Sequence, residues 1–172
     1  MKIYFVRHTA VGVPSGVCYG QSDVGLAETF LQEATAVREK LAGRPFGLVF
    51  TSPLTRCRRL ADHCGFPDAQ ADIRLKELDF GDWEMQEWNK LDMSVWETNW
   101  VNTPPPGGES FQEMYRRVAS FLNELTASDH TDTLIFTHGG VIRCAMAYFG
   151  KSTLEKSFDT VVDYGQVVEF SR

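Results

Sequence analysis

Lys2-Ile3-Tyr4-Phe5-Val6 is a run of β-forming, largely apolar residues that stops abruptly at Arg7-His8-Thr9. A run this short, with no polar alternation, reads as a strand buried on both faces, the kind found in parallel sheets covered by helices. In such open sheets, ligands occupy the crevice beyond the carboxyl ends of the strands, where Arg7 and His8 would stand. On this stretch alone, a surface turn carrying two polar residues accounts for the pattern equally well.

The pattern returns twice. Leu48-Val49-Phe50-Thr51 reads as a second buried strand and Thr133-Leu134-Ile135-Phe136-Thr137 as a third, the latter running directly into His138-Gly139-Gly140. Helical stripes lie between them. Phe30, Ala34, Val37 and Leu41 recur at helical spacing, with Gly43 and Pro45 as stop signals. Ser52-Pro53 predicts a helix start, with serine as cap and proline in the first turn, followed by an inward stripe of Leu54, Cys57, Leu60, Ala61 and Cys64. Arg56 falls in its first turns, and Arg58 and Arg59 on a solvated face. Ser110 and Glu113 match a capping box ahead of a stripe from Phe111 to Leu125. A last helix is predicted from about Val141 to Phe149, and Phe158–Val162 and Gln166–Phe170 as closing strands around Asp163-Tyr164-Gly165. This alternation predicts an α/β fold, a three-layer α/β/α sandwich with a mostly parallel central sheet. All 172 residues are read as a single domain. A tryptophan-rich insertion at about 80–106, packed over the sheet's edge, holds Trp83, Trp88, Trp96 and Trp100.

Composition narrows the chemistry. The 17 Lys and Arg against 23 Asp and Glu give a net charge of −6, which argues against a nucleic-acid binder. A local cluster of arginines can still receive an anion against that field. Cys18, Cys57, Cys64 and Cys144 lack metal-ligand spacing and read as reduced, mostly buried thiols. Cys57 is better explained as a core thiol than as a redox switch beside Arg56. With no leader-like run and no span-length apolar stretch, the expected compartment is the cytoplasm and no membrane partner is expected. His63 and His130 receive no role.

Three strand ends thus gather Arg7, His8, Arg56 and His138, beside a glycine-rich helix start. Arginine forks and helix N-termini suit phosphate. A neutral histidine can attack phosphorus and hold it covalently, and flanking arginines favour the neutral form. Unaided phosphate-ester hydrolysis is slow enough that enzymes accelerate it by up to ~10^21. General acid–base help supplies only about 10^2 to 10^4 of that. Charge neutralisation by the arginines must therefore carry much of the burden.

Arg7-His8-Thr9, Ser52-Pro53-Leu54-Thr55-Arg56 and Thr137-His138-Gly139-Gly140 resemble, in order, the signatures of the histidine phosphatase superfamily, the phosphoglycerate mutase-like phosphatases. Cys18 to Val24 and Glu77 to Met85 resemble its α-ribazole phosphatase subgroup. The resemblance implies His8 as the residue phosphorylated, with Arg7, Arg56 and His138 holding the phosphoryl group. It implies Glu77 as general acid, and no metal or organic cofactor. Thr9 and Gly139 are candidate further contacts. Many members carry an asparagine where Pro14 stands, so the donor either comes from elsewhere, with Gln21 and Ser22 as candidates, or is absent. Phe30 and Glu33 replace a Gly-x-x-Gln pattern in the first helix, a change of packing rather than chemistry. The implied substrate is a small phosphate ester, α-ribazole 5′-phosphate, with Trp83 and Trp88 as candidates to stack on its flat base. The alternative is that the tryptophans only pack the insertion onto the domain. Rival functions are a phosphoglycerate mutase or broad sugar phosphatase, and a non-catalytic phosphate-binding domain. A dinucleotide-binding turn is disfavoured by Arg-His-Thr after the first strand. The oligomeric state has no sequence signal.

Overall fold

The computed structural model describes residues 1–127 and 131–171, so His130 lies outside the described residues. Strands β1 (Lys2–Arg7), β2 (Leu48–Thr51), β3 (Gln70–Ala71), β4 (Thr133–Thr137) and β5 (Val167–Ser171) form one sheet in the order β3-β2-β4-β1-β5. The pairs β1–β4, β2–β4 and β2–β3 are parallel, and β5 runs antiparallel along β1.

Four helices cover the two faces: α1 (Phe30–Leu41), α2 (Thr55–His63), α3 (Phe111–Thr126) and α4 (Gly139–Tyr148). Successive strand residues point to opposite faces, which explains the unbroken apolar runs. Ile3, Phe5 and Ile135 enter a core with α3 and α4, while Tyr4, Val6, Leu134 and Phe136 enter a second core with α1 and α2. The structure is thus the three-layer α/β/α sandwich predicted. Helix α3 begins as its sequence predicts: Ser110 Oγ accepts from Glu113 N at 3.2 Å and Ser110 N donates to Glu113 Oε2 at 2.7 Å. Such caps contribute about 1 kcal/mol.

Several boundaries differ from expectation for identifiable reasons. Helix α2 starts at Thr55, not at Pro53, and Ser52 is not its cap. Ser52 Oγ lies 2.8 Å from His138 Nε2, and the helix start is capped instead by Asp23, which accepts from Thr55 N at 2.9 Å and Thr55 Oγ1 at 2.6 Å. Helix α4 begins at Gly139, directly after His138, rather than near Val141. Phe158–Val162 is not a strand. Its surroundings form a short 3-10 turn, Ser157–Asp159, and the carbonyls of Ser157, Thr160 and Val162 accept from Arg143 and Arg7 instead of from a sheet neighbour. The two residues of β3 are too few to show a periodicity in the sequence.

The tryptophan-rich stretch packs at the carboxyl end of the sheet, not over an edge strand. Its three 3-10 turns, Gly81–Trp83, Trp88–Lys90 and Ser94–Trp96, are tied to the loop after β1. Cys18 N donates to Gln86 O at 2.9 Å and Trp88 N to Gly16 O at 2.8 Å. All four cysteines are free and buried. His63 Nε2 meets Thr35 Oγ1 at 3.1 Å, joining α1 to α2. No helix among the described residues is long and apolar enough to cross a membrane.

Candidate active site

Strands β1 and β4 are neighbours with Arg7 opposite Thr137, so His8 and His138 emerge side by side at the sheet's carboxyl end. Their ring centroids are 5.2 Å apart. Both are buried, His8 at 1% exposure and His138 at 0%. His8 Nδ1 is 2.7 Å from Thr9 O. A carbonyl can only accept, so Nδ1 carries the proton and Nε2 of the neutral ring keeps its lone pair. Burial above all, then Arg56 and Arg7, holds His8 well below the usual imidazole pKa. Burial, followed by Arg56 and His8, does the same to His138. His138 Nε2 is engaged by Ser52 Oγ at 2.8 Å, and Cys57 Sγ lies 3.5 Å from Nε2 and 3.9 Å from Nδ1.

Arg56 comes from the first turn of α2 and is entirely buried. Its guanidinium donates to Ser22 O at 2.9 Å and Gly20 O at 2.6 Å, and its Nε finds no partner. Gly20 has φ +41, and a Cβ there would meet Glu84 Oε1 at 2.3 Å, so only glycine brings this carbonyl to the arginine. Arg7 donates through Nη1 to Val162 O, and its buried Nε is also unpartnered. Thr9 Oγ1 is likewise buried without a partner. None of the ion pairs found among the described residues involves Arg7 or Arg56. Two arginines held by neutral carbonyls, without an ion-pair partner, beside two neutral histidines form a cationic pocket, the electrostatic complement of an anion.

Glu77 faces the same space. Its carboxylate accepts from Leu78 N at 3.0 Å and from Gly140 N, in the first turn of α4, at 3.2 Å. A Cβ on Gly140 would stand 2.2 Å from Glu77 Oε1, so this glycine admits the carboxylate to the helix end. Gly139 lies against Arg7, where a Cβ would be 3.4 Å from Nε. Beside these buried groups lies a cavity of about 450 Å³, lined by Arg7, Glu77, Tyr19 and Tyr164 and also by Val11, Val13, Pro14, Phe80 and Trp88.

The family description "Histidine phosphatase superfamily (branch 1)" fits residues 3–172. The chain belongs to the histidine phosphatase superfamily. It is 34% identical to the adenosylcobalamin/alpha-ribazole phosphatase of Salmonella typhimurium over 159 residues, 86% of this chain and 78% of that protein. It is 31% identical to a 2,3-bisphosphoglycerate-dependent phosphoglycerate mutase of Methylobacterium over 154 residues, 79% of this chain and 74% of that one. Its backbone superposes on the alpha-ribazole phosphatase of Shigella flexneri with a TM-score of 0.89 at 26% identity, covering 98% and 89% of the two chains. The protein is thus a phosphatase of the phosphoglycerate mutase-like fold.

Within this histidine phosphatase, Arg7, His8, Thr9, Arg56, Glu77, His138 and Gly139 come together as the sequence predicted. Gln21 and Ser22 do not supply donors to the cavity. Gln21 Nε2 donates to Glu77 O at 3.0 Å, and Ser22 Oγ donates to Glu84 Oε2. Both brace the walls. Trp83 is likewise withdrawn, buried against Trp96 at 4.8 Å between ring centroids, because the insertion needs an apolar centre of its own. Trp88 does line the cavity. Glu33 accepts from Ala10 N at 2.9 Å and so fastens the loop after β1, a packing role. Ser52, Tyr19, Tyr164, Glu84 and Arg117 were missed. Tyr164 gave no periodic signal, standing in what reads only as a turn. Arg117 donates to the carbonyls of Arg74, Lys76 and Glu77, pinning the strand of chain that presents Glu77.

Proposed function

We propose that this phosphatase hydrolyses α-ribazole 5′-phosphate to α-ribazole and phosphate through a phosphohistidine at His8. The observation that carries the reading is the Nδ1 bond of His8 to Thr9 O, which leaves a neutral Nε2 lone pair among Arg7, Arg56 and His138. Nε2 attacks phosphorus and forms the P–N bond as the ester P–O bond breaks. Glu77, in its carboxylic acid form, gives its proton to the departing alkoxide. The resulting carboxylate then takes a proton from water as that water attacks phosphorus, the P–N bond breaks, and His8 is regenerated. Arg7, Arg56 and His138 neutralise charge on the phosphoryl oxygens throughout.

The leaving group is read from the outer cavity. Its volume of about 450 Å³ suits a molecule of nucleoside size. Trp88 and Phe80 stand edge-to-face at 5.1 Å and offer an aromatic wall to a flat base.

The test is a panel of phosphate esters scored both for free phosphate and for isomerised product. α-Ribazole 5′-phosphate should give the highest kcat/KM and free phosphate only. Brief exposure to phosphorus-labelled substrate should leave acid-labile, alkali-stable label at His8. Isomerisation of phosphoglycerate in place of phosphate release would replace this reading with a mutase. Hydrolysis of nothing in the panel would leave a phosphate-binding protein.

A further inference from the structure

Tyr19 lies in the loop after β1 and Tyr164 in the turn before β5, 145 residues apart, yet their hydroxyls meet at 3.0 Å. Both rings flank His8, with centroids at 6.4 Å and 5.6 Å. Each also lies against one of the two arginines. Arg56 Cζ is 5.1 Å from the Tyr19 centroid and Arg7 Cζ is 4.0 Å from that of Tyr164, within cation–π range. Both tyrosines line the cavity with Arg7 and Glu77. Pro14, on the same cavity wall, has neither a side-chain donor nor an N–H.

We propose that Tyr19 and Tyr164 form one neutral hydrogen-bonding unit that receives a phosphoryl oxygen beside His8, with either hydroxyl able to make the donation. In a pair of hydroxyls one O–H is used between the partners, and the other remains available. The roles exchange by rotation alone, so the pair presents a donor whichever tyrosine the substrate meets first. Burial, and then the bond to Tyr164, raises the Tyr19 phenol pKa further above its ordinary value, so the donor keeps its proton in neutral and mildly alkaline solution. The rings meanwhile hold the arginine planes against the floor. The inference rests on the proposed function only in taking the group bound beside His8 to be phosphoryl.

Binding of inorganic phosphate, followed by calorimetry, tests the pair without depending on turnover. Tyr19→Phe and Tyr164→Phe keep both rings, and each leaves one hydroxyl. Each should weaken phosphate binding by no more than about threefold, whereas the double variant should weaken it about 10- to 100-fold, the scale of a lost hydrogen bond to a charged group. Tyr19→Phe combined with Tyr164→His supplies a ring N–H donor that the double phenylalanine variant lacks, and should recover most of the affinity which that double variant loses; a purely structural role would not do this. The same order should appear in kcat/KM for an aryl phosphate. The proposal is overturned if the unaltered chain binds no phosphate, or if the double variant binds within twofold of it. It is overturned equally if one single variant already shows the full loss. Failure of His8 to become labelled would instead strike the proposed chemistry and leave the phosphate affinities to be judged on their own.

Discussion

Behind the cavity lining, the floor formed by His8, Arg56 and His138 is at most 1% exposed, whereas Phe80 and Trp88, which line the cavity as its mouth, are partly open. The floor is polar and held from several directions. Arg56 is gripped by two carbonyls, His8 by a third, and His138 by Ser52. The mouth is apolar and held by ring packing, chiefly Phe80 against Trp88. A floor fixed in this way stabilises developing charge without reorganising, so it should govern kcat for every ester. A mouth that only touches the leaving group contributes to binding of particular substrates, so it should govern KM selectively.

The sharpest break between the two comes from His8→Ala. Loss of a covalent nucleophile costs on the order of 10^4 to 10^6 in kcat. That loss should be the same for all esters in the panel, as steady-state kinetics on two unrelated substrates will reveal. A variant within tenfold of the unaltered chain would mean that the floor is not where chemistry happens.

Arg56→Met should follow, with kcat lower by about 10^2 to 10^3, the range for removing one preorganised donor to a developing charge. It also carries a pH signature. His8 attacks only when neutral, and its pKa is held down by burial first and by Arg56 next. In the unaltered enzyme the acid limb of kcat/KM should therefore lie below pH ~6.5, the ordinary imidazole value. Without Arg56 the folded pKa rises, protonation sets in at higher pH, and the limb moves upward. A limb that stays in place would assign the depression to burial and Arg7 without Arg56.

Glu84→Ala tests whether the floor depends on bracing from outside it. Glu84 accepts from Gln21 N at 2.8 Å, from Phe80 N at 3.2 Å and from Ser22 Oγ, and so fixes the loop whose Gly20 and Ser22 carbonyls aim Arg56. Glu84 is a positioning residue. Misplacement of a charged group by about 1 Å costs up to ~10^2 in rate. The expected result is a fall in kcat of about 10- to 100-fold with KM little changed. Glu84→Gln, which keeps an acceptor, should recover part of it. Equal loss in both variants would indicate that the carboxylate's charge, not its position as acceptor, is what matters.

The same division between floor and mouth marks what the sequence could disclose. Arg7, His8 and His138 were legible because each interrupts or ends an apolar run, and a buried strand must deliver its last residues to one rim. Arg56 was legible through the helix start, although the cap turned out to be Asp23, 32 residues upstream of Thr55 and invisible to any local pattern. Gln21 and Ser22 have the right chemistry for phosphate contacts, yet their donors are engaged by Glu77 O and Glu84. Donor type alone cannot reveal which partner has been taken already. Tyr164 and the mouth both depend on non-periodic chain, where neither the approach of Tyr164 to His8 nor the inward turn of Trp83 follows from spacing. Glycines at 20 and 140 mark the closest approaches, but a lone glycine in a loop or helix start does not say what it makes room for.

Trp88→Ala should produce the smallest and most selective effect. Trp88 lines the cavity and packs on Phe80, while Trp83 is buried behind it against Trp96. Aromatic contacts are worth about 0.5 to 1.5 kcal/mol beyond area burial, or roughly a 2- to 12-fold change in affinity. KM for an ester with a flat aromatic leaving group should therefore rise by about that factor, with kcat nearly unchanged because the phosphoryl floor is untouched. KM for a small alkyl phosphate should stay where it was, since such a leaving group does not reach the wall. Trp83→Ala supplies the contrast. It opens a hole within the insertion, so it should lower the melting temperature before it changes any substrate preference. If both variants raise KM for every ester alike, the mouth is not a selective wall but part of the scaffold that holds the loop after β1. The distinction between a charge-bearing floor and a shape-bearing mouth would then fail at its weaker end.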